Sequence, residues 1–334
     1  MTGRRDPDTV TGDGAPHASV LIPTKNGGAL FRRVLDAVRA QATDWPFEVV
    51  VIDSGSSDGT AEACEGVAGV RLHRIPPTAF AHGRTRNLGM SLARGRHVAL
   101  LTQDALPVGP RWLAELLAPF ERDPAIAGVF GRHEAHADAD PFTARDIAAF
   151  FDGLAAGPAV RRIDDPARWA ADAALRRRLA YFSNNNAALR RSACQRVPLP
   201  DVAFAEDQAW AAHALEAGFA TAYADRAVVR HSHSYGFTER VKRCFDEAAA
   251  LRALDGRRII PTPFHFLAGL GGRIALDQAF ALRSGLYRST PRAALTRPLD
   301  TLARQIGYAL GSHAPLLPAR WRSALSRDAA LRRN

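Results

Sequence analysis

Four short runs of apolar and β-branched residues punctuate the first hundred positions: 19–22 (SVLI), 48–53 (EVVVID), 70–75 (VRLHRI) and 97–101 (HVALL). Between them, apolar residues recur at helical spacing over about 29–41, 59–66 and 84–94, so the pattern predicts strands alternating with helices. That alternation predicts an α/β fold with a parallel sheet covered on both faces. In such sheets ligands bind beyond the carboxyl ends of the strands. The segments found there, PTKNGG, SGSSDGT and QDALP, are turns of small, polar, Gly and Pro residues.

The pattern breaks over about 133–180, which is polar, Pro-punctuated and mostly helical, and reads as an insertion over the sheet. YFSNNNAALRR then predicts a strand and turn, and FAEDQAWAAHALEAGF an amphipathic helix with an acidic start. Beyond residue 237 the chain reads as helical and basic to its end, and no internal repeat is found. The expected organisation is a flexible leader (1–17), a catalytic domain (18–240) and a basic helical region (241–334).

Composition narrows the class. With 47% hydrophobic and 23% charged residues, the 334-residue chain has a globular and not a disordered composition. No apolar run is long enough to span a bilayer, since FHFLAGLGGRIALDQAF is broken by Arg273 and Asp277. The polar start lacks the apolar centre of a signal peptide, so the expected location is cytoplasmic. Cys64, Cys194 and Cys244 have no metal-type spacing and fit buried thiols in a reducing compartment.

The net charge of +10 is uneven. Residues 226–334 hold 19 Lys+Arg against 7 Asp+Glu, a net +12, whereas the residues before them hold 25 against 27, a net −2. A basic C-terminal third suits a solvated helix face, an anionic membrane surface or nucleic acid.

Neither G-x-G-x-x-G after the first strand nor G-x-x-x-x-G-K-[ST] is present, which argues against the usual dinucleotide and P-loop sites. Asp53, at a strand end, is placed to accept hydrogen bonds from a ribose or base, and Asp58 to cap the next helix. A lone Asp104 ends the fourth strand. His231 and His233 alternate along an extended segment and so point to opposite sides.

The ordered set SVLIPTKNGG, VVVIDSGSSDGT, HGRTRNLG, LLTQDALP and FAEDQAW resembles the nucleotide-sugar-binding domain of family 2 glycosyltransferases with the GT-A fold, over roughly residues 18–240. TQDA, SNNNAALRR, FAEDQAW and HSHSYG are similar, more narrowly, to bacterial rhamnosyltransferases that build cell-surface glycans such as O-antigen. The resemblance implies a mixed, mostly parallel sheet flanked by helices, with a C-terminal helical extension.

Carried onto this chain, the resemblance implies that Pro23, Thr24 and Asn26 line the nucleotide pocket. Asp53 would contact the base and Asp58 support its loop, with Arg86 and Asn87 beside the phosphates, helped by His82 and Arg84. The usual Asp-x-Asp is truncated to Gln103-Asp104-Ala105; one carboxylate with substrate phosphates and waters is enough for Mg²⁺. His231 is the chosen further ligand, and His with Asp would favour Mn²⁺. Asp207 would be the base of an inverting transfer, Glu206 would bind sugar hydroxyls, and Trp210 would form an apolar wall of the sugar pocket.

The implied activity is transfer of a sugar, L-rhamnose from dTDP-β-L-rhamnose, to a polyprenyl-diphosphate-linked or oligosaccharide acceptor, by an enzyme peripheral on the inner face of the membrane. Alternatives are a UDP-hexose, UDP-N-acetylhexosamine or GDP-mannose donor. A non-catalytic nucleotide- or nucleic-acid-binding protein is a further alternative, although the basic stretches lack aromatic interleaving.

Overall fold

The apolar runs form strands where their pattern predicts them. The chain begins β1 (Ala18–Thr24), α1 (Gly28–Arg39), β2 (Phe47–Asp53), β3 (Val70–Arg74), α2 (His82–Leu92) and β4 (His97–Leu101). It continues through β5 (Leu106–Pro107), α3 (Trp112–Arg122), β6 (Ile126–Glu134), α4 (Pro141–Ala155), β7 (Val160–Arg161), α5 (Pro166–Ala171) and α6 (Ala173–Leu179). Then follow β8 (Asn186–Arg190), α7 (Arg191–Arg196), α8 (Glu206–Glu216) and β9 (Ala220–Arg230). The computed structural model describes residues 15–202, 204–327 and 329; residues 1–14 of the expected leader lie outside them.

The nine strands among the described residues form one sheet in the order β3-β2-β1-β4-β8-β6-β9-β5, with β7 paired to β9. β1 to β4 run parallel, β8 is antiparallel to both β4 and β6, and β6 runs parallel to β9. Residue parity assigns the two faces. Val20, Ile22, Val49, Val51, Ala99 and Leu101 pack with α1 and α3 on one side. Leu21, Val50, Ile52, Val98 and Leu100 pack with α2 and α8 on the other. Burial on both faces is why these strands read as unbroken apolar runs.

One predicted helix does not form. Over 59–66 the chain makes a single 3₁₀ turn at Glu62–Cys64. Gly59, at φ +82°, and Gly66 and Gly69 after it are left-handed, conformations that do not continue a right-handed helix, so the run is interrupted at both ends. The stretch over 133–180 is helical in α4, α5 and α6, but it also supplies β7 to the sheet.

The chain forms two compact units. Among the described residues, the first comprises 15–136, 146–202 and 206–231, and the second comprises 137–145, 204–205 and those from 232 onwards. The second unit is built on α9 (Phe237–Asp255), α10 (Pro263–Arg283), α11 (Leu286–Ser289), α12 (Pro291–Ser312) and α13 (Ala319–Leu325). Gly307 and Gly311, one turn apart, let α12 approach α9 closely: a Cβ on either would stand 2.4 Å from the carbonyl oxygen of Val241 or Phe245. Asp277, with no exposed surface, anchors the helices by accepting from Arg145 at 2.5 Å and Arg297 at 2.6 Å. All three cysteines are buried free thiols.

Candidate active site

Two loops at the carboxyl edge of the sheet are knitted together. The Asn26 amide donates to Ser56 Oγ, and Asn26 Oδ1 accepts from the Ser57 amide, both at 2.8 Å. Asn26 adopts φ +49°, which its short polar side chain tolerates. Asp53, 2% exposed, accepts from the amides of Gly55 and Ser56 at 3.0 Å and from the Ser56 hydroxyl. Asp58 accepts from Thr60 N at 3.1 Å and from Gly28 N at 2.9 Å, so it caps α1 from the neighbouring loop. Hydrogen bonding to Thr60 is the main cause holding its carboxyl below the usual range.

Gln103 ties β4 to β1. Its Oε1 accepts from Thr24 Oγ1 at 2.7 Å and Lys25 N at 2.8 Å, and its Nε2 donates to the Lys25 carbonyl at 3.2 Å. Pro23 and Thr24, paired with Ile52 and Asp53, end β1 beside this staple. A glutamine is thus fully occupied as a brace, and Asp104 remains the acid at the strand mouth.

Asp104 meets His231 there, with Oδ1 3.5 Å from Nε2. The meeting follows from topology: β9 runs in the same direction as β4, so their carboxyl ends share one edge. His231 is held by the hydrogen bond its backbone N–H donates to the Glu134 carbonyl at 2.8 Å and by an edge-on contact with buried His133, ring centroids 5.4 Å apart. His136 Nε2 lies 3.3 Å from the Asp104 carbonyl oxygen. His233 belongs to the second unit and stacks on Tyr235 at 5.3 Å.

α8 opens with the second acidic element. Glu206, 5% exposed, accepts from Arg86 Nη1 at 2.8 Å and from Asn184 Nδ2 at 3.2 Å. Burial alone would raise its pKa, but Arg86, then His82 and the Asn184 bond, carry it below the usual value. Asp207 is half-buried and accepts from Asn184 N at 3.1 Å and Gln208 N at 2.8 Å. Desolvation, followed by the adjacent Glu206 charge, pushes its pKa up to about 7. Two neighbouring carboxyls are therefore driven apart, one kept ionised and one poised near neutrality. Ala205, immediately before them, is left-handed at φ +61°, a costly conformation for a residue with a Cβ.

The rest of HGRTRNLG holds the chain that leads to α8. Asn87 donates to the Leu199 carbonyl at 2.8 Å and accepts from the Leu199 amide at 3.1 Å. Arg84 pairs with Asp201 at 2.7 Å at the surface, and the His82 carbonyl accepts from Arg86 at 3.3 Å. Trp210 does not form an open wall. It is 0% exposed, donates to the Val197 carbonyl at 2.9 Å and packs on Phe182, so it is core beneath α8.

Asn184 is the site residue that sequence reasoning did not single out. SNNNAALRR marks a strand, but not the direction in which the strand runs. Because β8 is antiparallel to β4, with Leu101 opposite Asn186, the asparagines enter at the same edge as Asp104. The one available signal was three consecutive amides abutting a buried strand.

The family model for glycosyl transferase family 2 matches residues 19–197. The chain is 33% identical to the O-antigen chain rhamnosyltransferase RfbN of Salmonella typhimurium, over 90% of this chain and 91% of that protein. It is 31% identical to the O-antigen chain rhamnosyltransferase WbaN of Salmonella anatum, over 91% of each. Among solved structures, it is similar in fold to the mannosyltransferase PcManGT from Pyrobaculum calidifontis in complex with GDP-Man and Mn²⁺. That likeness has a TM-score of 0.56 at 20% identity and covers 90% of this chain and 86% of that one. The sheet is thus that of a GT-A glycosyltransferase, and the chain belongs to glycosyl transferase family 2.

Proposed function

We propose that this glycosyltransferase moves L-rhamnose from dTDP-β-L-rhamnose, with inversion, to a lipid-linked or oligosaccharide acceptor of cell-surface polysaccharide synthesis, working peripherally at the cytoplasmic face of the membrane. Similarity along nearly the whole chain to two O-antigen rhamnosyltransferases supports the sugar and the acceptor class.

The observation that carries the chemistry is the divergence of Glu206 and Asp207. An inverting transfer needs a base to take the acceptor hydroxyl's proton as that oxygen attacks the anomeric carbon. Asp207, pushed up to about 7, is matched to that task near neutral pH. Glu206, ionised against Arg86, is suited to accepting hydrogen bonds from sugar hydroxyls while setting the field on Asp207. The knitted loops that carry Asn26, Asp53 and Asp58 form the floor on which the nucleotide would sit, and Arg86, Asn87, His82 and Arg84 fix the approach to α8.

Asp104 and His231 fit a divalent cation by chemistry and proximity, since a carboxylate oxygen and an imidazole nitrogen 3.5 Å apart suit Mn²⁺ better than the oxygen-preferring Mg²⁺. When bound, the cation supplies charge neutralisation for the departing nucleoside diphosphate. Calorimetric titration with dTDP, UDP and GDP, each with Mn²⁺, Mg²⁺ or EDTA, tests the reading. Metal-dependent preference for dTDP, lost in Asp104→Ala and His231→Ala, is expected. Preference for UDP or GDP would replace the sugar, and binding indifferent to EDTA would remove the metal role of Asp104.

A further inference from the structure

Exposed apolar surface is concentrated in the second unit. Among the described residues, all eight large apolar side chains that are more than half exposed lie there, four of them on α10. Phe264, Gly271, Ala275 and Leu282 are separated by seven, four and seven residues, so they form one stripe along that helix. Phe264 is 76% exposed and Leu282 69%, and Leu267, at 66%, flanks the stripe. The opposite side of α10 carries fully buried Asp277 and Ala281, and Phe280, which packs on Phe142 at 5.6 Å. At about 1.5 Å per residue, the stripe runs roughly 27 Å.

Along the chain that carries this stripe, exposed charge is of one sign. Residues 256–299 contain seven arginines and a single carboxylate, Asp277, which has no exposed surface and is bonded to Arg145 and Arg297. Arg283, Arg288 and Arg292 are exposed on the segment from the end of α10 to the start of α12, where Leu295 also faces solvent. A second copy of the chain would set arginines against arginines. A straight apolar stripe on a segment, 256–299, that exposes cations and no carboxylate matches the interface of a bilayer containing anionic lipid. Arg273 and Asp277 interrupt α10, and no helix among the described residues is long and apolar enough to span a membrane, so such a surface would be met side-on.

We propose that α10 docks on an anionic bilayer, with Phe264, Leu267 and Leu282 among the acyl chains and Arg283, Arg288 and Arg292 against lipid phosphates. This deepens the peripheral-membrane reading above and rests on it for its purpose, but vesicle binding and nucleotide binding are read separately.

The test is flotation of the full chain with phosphatidylcholine vesicles, with and without phosphatidylglycerol. Binding is expected only with phosphatidylglycerol, weakening as salt is added. Each of Arg283→Gln, Arg288→Gln and Arg292→Gln should weaken it about fivefold. Phe264→Ser with Leu282→Ser should abolish it while dTDP binding by calorimetry is unchanged, because these positions are exposed. Binding that ignores phosphatidylglycerol, or that survives the double serine variant, overturns the proposal. So does dimerisation that the serine variant abolishes, without vesicle binding. Loss of dTDP binding by the unaltered chain that still floats with phosphatidylglycerol would sink the donor assignment and leave the docking face standing.

Discussion

Arg86 Nη1 lies 2.8 Å from Glu206 Oε1, with the two side chains only 6% and 7% exposed. This pair keeps one of two adjacent carboxyls ionised, and that Glu206 charge adds to desolvation in raising the pKa of the other, Asp207, to about 7. Breaking a buried pair by removing one partner typically costs about 3–5 kcal/mol, because the remaining charge is stranded. Arg86→Met should therefore lower the melting temperature markedly. Arg86→Met with Glu206→Gln should recover much of the loss, as thermal denaturation of the two variants will test.

Asp207 as base predicts activity that rises with pH through about 7. Asp207→Asn should reduce kcat by about 10²–10⁴-fold while nucleotide binding persists. The same group predicts a stability effect. Its folded pKa lies above the ordinary 3.8, so the native state binds the extra proton and stability falls as pH rises from about 3.8 to about 7. That fall should vanish in Asp207→Asn, as denaturant midpoints across this range would reveal; a slope equal to that of the unaltered enzyme would refute the assignment.

Asn184 touches both carboxyls, through its amide nitrogen to Asp207 and its side chain to Glu206. Asn184→Asp would place another negative charge beside them. The acid limb of the rate–pH profile should then move above 7, while Asn184→Ser should leave the limb nearer its original position. A residue that mattered only for folding would lower activity at every pH without moving the limb.

His97 is wholly buried between Phe120, stacked at 4.4 Å, and His17, and neither ring nitrogen has a hydrogen-bond partner. Burial, with Arg190 adding to it, lowers its pKa from 6.5 to about 3. The unfolded chain therefore takes a proton first, and stability declines as pH falls from about 6.5 towards about 3. His97→Phe should flatten that part of the pH–stability curve in urea titrations.

In the second unit, Gly311→Leu should destabilise by roughly 1–3 kcal/mol or more through overpacking, since the first added carbon already meets the Phe245 carbonyl at 2.4 Å. Gly271→Leu, on the exposed side of α10 with nothing within 4 Å, should leave the melting temperature nearly unchanged.

The sheet was legible because its strands are buried on both faces, and such strands read as apolar runs whatever their neighbours are. So were the turn residues at their carboxyl ends and the basic C-terminal third. The 59–66 helix does not form although the apolar spacing suits one, because left-handed Gly59 and Gly66 bound the stretch at both ends. The family resemblance implied a pocket wall for Trp210, yet an aromatic one turn into a helix is equally a core residue, and periodicity does not separate the two.

By itself the sequence determined the strand–helix alternation, the acids available at the strand ends and the asymmetry of charge, all of which are local properties of the chain. Only the tertiary structure decided which groups meet. The reversed direction of β8 brings Asn184 to Glu206 and Asp207, and the shared direction of β4 and β9 brings His231 to Asp104. It also decided that Arg86 serves a carboxylate 120 residues away, and hence which acid is held ionised. Burial and distance set those electrostatics, and neither exists until the chain has folded.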